Sequence, residues 1–234
     1  MMDLCKEHDI KYENGAIDIG VRAEIPDIIM KEINENFYEA KMIYYSRNYR
    51  DKMRTFCSNP SGFIAAEKYE DDFVLANGHA YKDRKSTNTN LALLCTKKFT
   101  EPFNQPFEYA TAIAKMSSML TGGKLLVQSY IDLKAGRRST DEKLSRLNIV
   151  PTTEDYVAGD IALACPQRLL DNIMEFIEVL DKITPGFASG DLLLYFPEIK
   201  FRSTRIEITK EMETSIKGLY AAGDSSGYGS GLNI

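Results

Sequence analysis

The sequence predicts an α+β fold: a mixed, largely antiparallel β-sheet with flanking helices. Three observations lead there. Short strand-like segments separated by turn signals follow one another in runs, which is a meander and not a regular strand–helix alternation. Only a few segments carry the apolar rhythm of a helix, and each starts at a proline. The 234 residues, 44% hydrophobic and 27% charged, are enough to build a sizeable buried core.

The elements follow in order. Ile17–Ile25 (IDIGVRAEI) alternates apolar and polar residues, the two-residue period of a strand. Pro26 suits the first position of a helix and Asp27 its first turn, where negative charge is favoured. Ile29, Ile33 and Phe37 recur at four-residue spacing and form the expected buried face of that helix. Strands are expected at Ile43–Tyr45 and Met53–Cys57. Past the turn Asn59-Pro60-Ser61-Gly62, two more are expected at Phe63–Glu67 and Phe73–Ala76. Asn77-Gly78 reads as another turn, Lys82–Asn90 as a polar loop and Leu91–Thr96 as a strand.

Gln105–Leu120 has Pro106 at its start and Gly122-Gly123 past its end, the asymmetry of a helix. Its apolar stripe is Phe107, Ala110, Ile113, Ala114 and Leu120. Ser139, with Glu142 three residues on, reads as the cap of a helix opening at Asp141. A last helix from Pro166 to Ile183 buries Leu169, Leu170, Ile173, Ile177, Leu180 and Ile183. Asp191–Phe196, Glu198–Phe201 and Arg205–Ile208 read as successive strands, and Leu219–Ala222 as a short strand before a glycine-rich tail.

Composition excludes several functions. A net charge of −5 argues against a nucleic-acid binder working through a broad basic surface. No stretch of about 18 apolar residues is present, so no transmembrane helix is expected. The first residues are charged and form no apolar segment of a secretory leader, so a cytoplasmic location is expected. Cys5, Cys57, Cys95 and Cys165 are scattered and only His8 and His79 accompany them, which speaks against a metal site and for reduced thiols.

The most informative segment is Thr214–Leu232. Leu219–Ala222 ends in Gly223-Asp224, which places a carboxylate at the end of a strand, where open sheets bind ligands. Gly223 lets the backbone turn, and Gly227, Gly229 and Gly231 permit close approach to a phosphate group. A polar tail after a structural strand has the same composition. Elsewhere, Arg137 and Arg138 stand beside Ser139-Thr140, and two guanidinium groups next to hydroxyls can grip a carboxylate or phosphate. The same residues also fit a basic loop leading into a helix cap. Cys57 as a redox thiol and His79 as a general acid or base are weaker candidates.

Thr214 and Gly218-Leu219-Tyr220-Ala221-Ala222-Gly223-Asp224 resemble the second FAD-binding motif of two-dinucleotide-fold flavoproteins. The blocks IDIGVRAEIP, RTFCSNPSG, NGHAYKD, NTNLALL, FTEPF and GRRST, in that order, resemble the C-terminal portion of uncharacterised FAD-dependent dehydrogenases. The resemblance implies a remnant over residues 1–16, a substrate-side α+β domain over 17–208, and a partial FAD-binding segment over 209–234 carrying one strand of a Rossmann-like domain. It implies FAD as cofactor of the full-length protein, with Gly223, Asp224 and Gly227 as cofactor contacts and Asp224 on the ribityl chain. Arg137 and Arg138 become anion anchors for a small-molecule substrate. The N-terminal G-x-G-x-x-G phosphate loop of such proteins is absent from this sequence, so this fragment is not expected to retain FAD or to act alone. The competing class is a non-catalytic ligand-binding or interaction domain.

Overall fold

A computed structural model describes residues 2–69, 73–201, 204–223 and 226–227. The fold is α+β with a mixed, mostly antiparallel sheet, as the sequence predicts. The chain divides into two compact units: Asp18–Thr96 with Tyr109–Ile199, and Met1–Ile17 with Lys97–Glu108 and Lys200–Ile234.

The larger unit is built on seven strands. They are β2 (Ile17–Pro26), β3 (Ile43–Tyr45), β4 (Lys52–Asn59), β7 (Asn88–Lys97), β8 (Leu125–Ser129), β9 (Tyr156–Ala158) and β10 (Leu193–Lys200). Their order is β3-β4-β7-β2-β10-β8-β9, so β2 is the central strand. The pairs β3/β4, β4/β7 and β10/β8 are antiparallel and β8/β9 is parallel. A separate antiparallel hairpin, β5 (Phe63–Tyr69) with β6 (Phe73–His79), packs against the β8–β10 region through a core that includes Ile64, Val74, Val127, Leu193 and Tyr195.

Helix α6 (Gln167–Ile183) buries Leu169, Leu170, Ile173, Phe176, Ile177 and Leu180, each burial contributing roughly 1.5–3 kcal/mol. Ile183, assigned to that stripe by spacing, lies in the last turn and is exposed, as is Leu120 near the end of α3 (Pro106–Thr121). In α2 (Asp27–Asn36) the buried residue is Met30. Phe37 falls outside the helix as an extended cap and is exposed, because the helix ends at Asn36, one residue short of it. Asn77-Gly78 is not a turn: both residues sit in β6, paired with Ala65 and Ile64. β10 is one strand and does not break at Pro197. Its ladder with β8 ends at Phe196↔Leu126, so the missing proline N–H lies beyond that pairing. Strands β8 and β9 have no counterpart in the sequence reading.

In the smaller unit, α1 (Met2–Glu7) is followed by β1 (Tyr12–Glu13), which pairs antiparallel with β11 (Arg205–Ile206). Cys5, Ile10 and Ile206 form its apolar cluster. Leu219–Ala222 does not form the expected strand. The segment makes one isolated bridge, Glu213↔Tyr220, and Leu219 and Tyr220 are exposed, so no sheet among the described residues receives it.

Candidate functional site

The central strand β2 carries the site. Its alternation puts Ile17, Ile19, Val21, Ala23 and Ile25 on one face and Asp18, Arg22 and Glu24 on the other. The polar face would be solvated at a sheet surface, but here all three charged residues are fully buried. Each therefore needs specific partners.

Arg22 is the hub. Its Nε donates to Asn90 Oδ1 at 2.8 Å and its Nη2 to the Cys57 carbonyl at 2.7 Å. Nη1 lies 3.3 Å from Glu198 Oε1, and neither side chain of that ion pair is exposed. Asn59 Nδ2 reaches both the Cys57 carbonyl and Asn90 Oδ1 at 3.2 Å. Gly78 explains itself here. A Cβ at that position would lie 2.0 Å from Asn90 Oδ1 and 2.1 Å from Arg22 Nη2, so only glycine lets β6 lie over the guanidinium.

Two flanking sets complete the polar face. Asp18 pairs with Arg54 Nη2 at 2.8 Å and accepts from Thr96 Oγ1. Glu24 accepts from Tyr195 Oη at 2.6 Å, Asn88 Nδ2 at 3.1 Å and the Thr152 amide at 3.2 Å, with Thr152 Oγ1 as a further donor. Burial pushes the Glu24 carboxyl above its ordinary range against the pull of those hydrogen bonds.

Where this array approaches the surface it presents the bulged end of β4 after Phe56 and the turn that follows it. The β4/β7 register shifts between Phe56 and Asn59, and Cys57 takes a left-handed φ of 45°. Ser61, at φ 48°, is fixed by Asp27, whose carboxylate accepts from the Ser61 amide at 3.1 Å and its hydroxyl at 2.6 Å. Thr89 Oγ1 donates to the same carboxylate at 2.7 Å. Asp27 thus ties the loop to the first turn of α2, which is more than the dipole role read from its position. Cys57 is half-buried and His79 is exposed. By contrast, burial pushes the Cys165 thiol far up, which makes it inert.

The residues singled out by sequence lie elsewhere. Arg137 and Arg138 are exposed, and Arg137 Nε lies 3.5 Å from Asp132 Oδ1. Lys143 Nζ, 3.2 Å from the same carboxylate, also donates to the Arg138 carbonyl at 2.7 Å. The cap of α5 (Asp141–Leu144) is Thr140 and not Ser139, because Ser139 is buried and donates to Asp132 Oδ2 at 2.9 Å. Gly223 and Gly227 both have positive φ, 83° and 81°. A Cβ on Gly227 would lie 2.9 Å from the Arg205 Cα, so the chain's own backbone already requires a glycine there. Asp224 lies outside the described residues. The sequence reading missed Asp18, Arg22, Glu24 and Glu198. For Asp18, Arg22 and Glu24 the available signal was the set of blocks that carry the resemblance, since IDIGVRAEIP, RTFCSNPSG, NGHAYKD and NTNLALL supply these three with Cys57, Asn59, Gly78 and Asn90, whereas Glu198 lies in none of the blocks.

The model of a family described as FAD-dependent protein, C-terminal domain-like, matches residues 16–200. The chain belongs to that family. Its matched span holds the whole Arg22 cluster. The chain is also 25% identical to an uncharacterized protein of Clostridium beijerinckii over 252 aligned positions, which cover 98% of the chain and 46% of that protein. It therefore spans about half the length of this relative.

Proposed function

We propose that the chain is the substrate-side part of a FAD-dependent oxidoreductase, acting as a dehydrogenase on a small molecule. Membership of a FAD-dependent family over residues 16–200 carries this reading. The motif-like run Gly218–Asp224 supports it from a separate part of the chain.

In this reading the turn at Gly223 and Gly227 lets backbone approach the cofactor, since both glycines hold φ near 80° and Ser226 Oγ closes the turn by donating to the Gly223 carbonyl at 2.6 Å. Asp224 follows Gly223 and accepts from a ribityl hydroxyl. Oxidation or reduction of the substrate is the chemistry FAD supplies when bound. The chain's own residues shape and dry the substrate side: Arg22 fixes the Cys57 carbonyl, and Asp27 fixes Ser61, so the loop between them is rigid. Arg137 already has Asp132 as partner, which leaves Arg138 as the guanidinium offered to a substrate anion.

The test uses the protein at its full encoded length. The expected preparation is yellow, releases flavin on denaturation and bleaches on anaerobic reduction. A charge-assisted bond from Asp224 is worth roughly 1.5–3 kcal/mol, so Asp224→Ala should weaken FAD about tenfold to a hundredfold in titration of the apoprotein. A colourless protein that takes up no FAD sinks the proposal. An Asp224→Ala variant with unchanged affinity removes Asp224 from it.

A further inference from the structure

The two edges of the seven-stranded sheet differ. At one, β9 is contacted by α5, and its neighbour β8 by α4 (Tyr130–Lys134). At the other, β3 has β4 on one side and no strand on its far side among the described residues. The register of β3 with β4 is Ile43↔Arg54, Tyr44↔Met53 and Tyr45↔Lys52. The Thr55 amide donates to the Met42 carbonyl and the Ser46 amide to the Asp51 carbonyl, both at 3.0 Å. Hydrogen-bonded pairs alternate with unbonded ones in an antiparallel ladder. Met42, Tyr44 and Ser46 therefore turn their N–H and C=O groups toward β4, and Ile43 and Tyr45 turn theirs out of the sheet.

This edge is held in place. Tyr44 stacks on Phe176 of α6 with ring centres 6.1 Å apart, and its hydroxyl donates to Glu175. Side chains alternate across a strand, so Ile43 and Tyr45 share the opposite face, where they are 51% and 58% exposed. The outward backbone groups and the two large side chains thus lie along one open edge.

Charge narrows the partner. The chain has a net charge of −5, yet this edge is basic. Lys41, two residues before Ile43, is exposed, and Lys52 is the cross-strand neighbour of Tyr45. Neither lysine forms an ion pair among the described residues. The nearby acids are engaged: Glu39 accepts from the Cys57 amide at 3.1 Å, and Asp51 from Arg168 Nε and Nη2, both at 2.8 Å. Lysines beside a free edge repel strands that bring no negative charge. A second copy fits badly, because the two-fold register that joins Ile43 to Tyr45 of the other copy also sets Lys41 opposite Arg47, and like charges directly opposite are destabilising.

We propose that the β3 edge docks an extended acidic segment of a partner chain, which adds to the sheet as a further strand. Backbone bonds to Ile43 and Tyr45 attach it, apolar side chains in its middle pack beside theirs, and flanking acids meet the lysines.

The probe is a fluorescein-labelled peptide, Asp-Glu-X-Thr-X-Glu-Asp with X as Val, Ile or Tyr, titrated into the 234-residue chain by fluorescence anisotropy. At least one version should bind saturably at sub-millimolar concentration and slow hydrogen exchange at the Ile43 and Tyr45 amides. Lysine in place of the four acids reverses the charge, and proline at both X positions removes the donors that face the edge. Each change should weaken binding about tenfold or more. Lys41→Glu, an exposed substitution, should weaken it about tenfold. Ile43→Pro should abolish binding and leave stability in urea nearly unchanged, because the N–H it removes points out of the sheet. Failure of all three peptides to bind, a lysine or proline peptide as tight as its parent, unaltered exchange at both amides, or unchanged affinity in Lys41→Glu overturns the proposal. Dimerisation of the chain that Ile43→Pro abolishes would assign the edge to a second copy and overturn it as well.

Discussion

Arg22 is a charged residue at the centre of a sheet, and its partners show why it must be arginine. Nε, Nη1 and Nη2 point to three different acceptors: Asn90, Glu198 and the Cys57 carbonyl. A lysine ammonium keeps the charge but cannot span a planar fork. Removing one partner of a buried ion pair typically costs about 3–5 kcal/mol. Arg22→Met is expected to fall in that range in urea unfolding, and Arg22→Lys to recover little of it. A lysine variant as stable as the parent would mean that charge alone matters and the fork geometry does not. The residue was not legible from pattern, since a polar residue at every second strand position reads as a solvent face. What the pattern lacks is the hairpin that lies over it, and only glycine at position 78 admits that hairpin.

At the scale of elements, β2 and β10 meet through Glu24 and Tyr195 as well as through backbone. Burial raises the Glu24 carboxyl above its reference value of 4.5. The folded state therefore prefers the protonated form. The stability this contributes is fully present below 4.5 and is lost as pH rises through the folded value. Glu24→Gln, neutral at every pH, should gain on the parent as pH climbs from about 4 to 7 in urea unfolding. A difference that stays flat with pH would show that the four donors around Glu24 cancel the effect of burial. Local pattern served the elements well where a single period or a proline start decides, as in β2, β3 and α6. It failed where tertiary contacts decide. Asn77-Gly78 has the composition of a turn but is drawn into β6 by its ladder with β5. Leu219–Ala222 has the composition of a strand but meets a single bridge partner in Glu213.

For the whole molecule, about half the length of its relative is represented, and the candidate cofactor turn belongs to the smaller unit. The family was legible because its blocks are contiguous in sequence, whereas their convergence on Arg22 is a property of three dimensions. No helix among the described residues is long and apolar enough to cross a membrane. The sequence holds one FAD-motif-like run and no G-x-G-x-x-G loop, so the 234-residue chain is expected to bind FAD no tighter than micromolar. Flavin fluorescence titration measures this, and sub-micromolar saturation would show that the Gly223–Gly227 turn suffices. The Arg22–Glu198 pair also sets a clock on biosynthesis. Glu198 leaves the ribosome 176 residues after Arg22, which is about 9–35 s at ordinary elongation rates. Until then the strand destined for the middle of the sheet carries a charge it cannot bury with its final partner. The nascent chain must keep that strand solvated, and only the arrival of β10 allows the sheet to close around it.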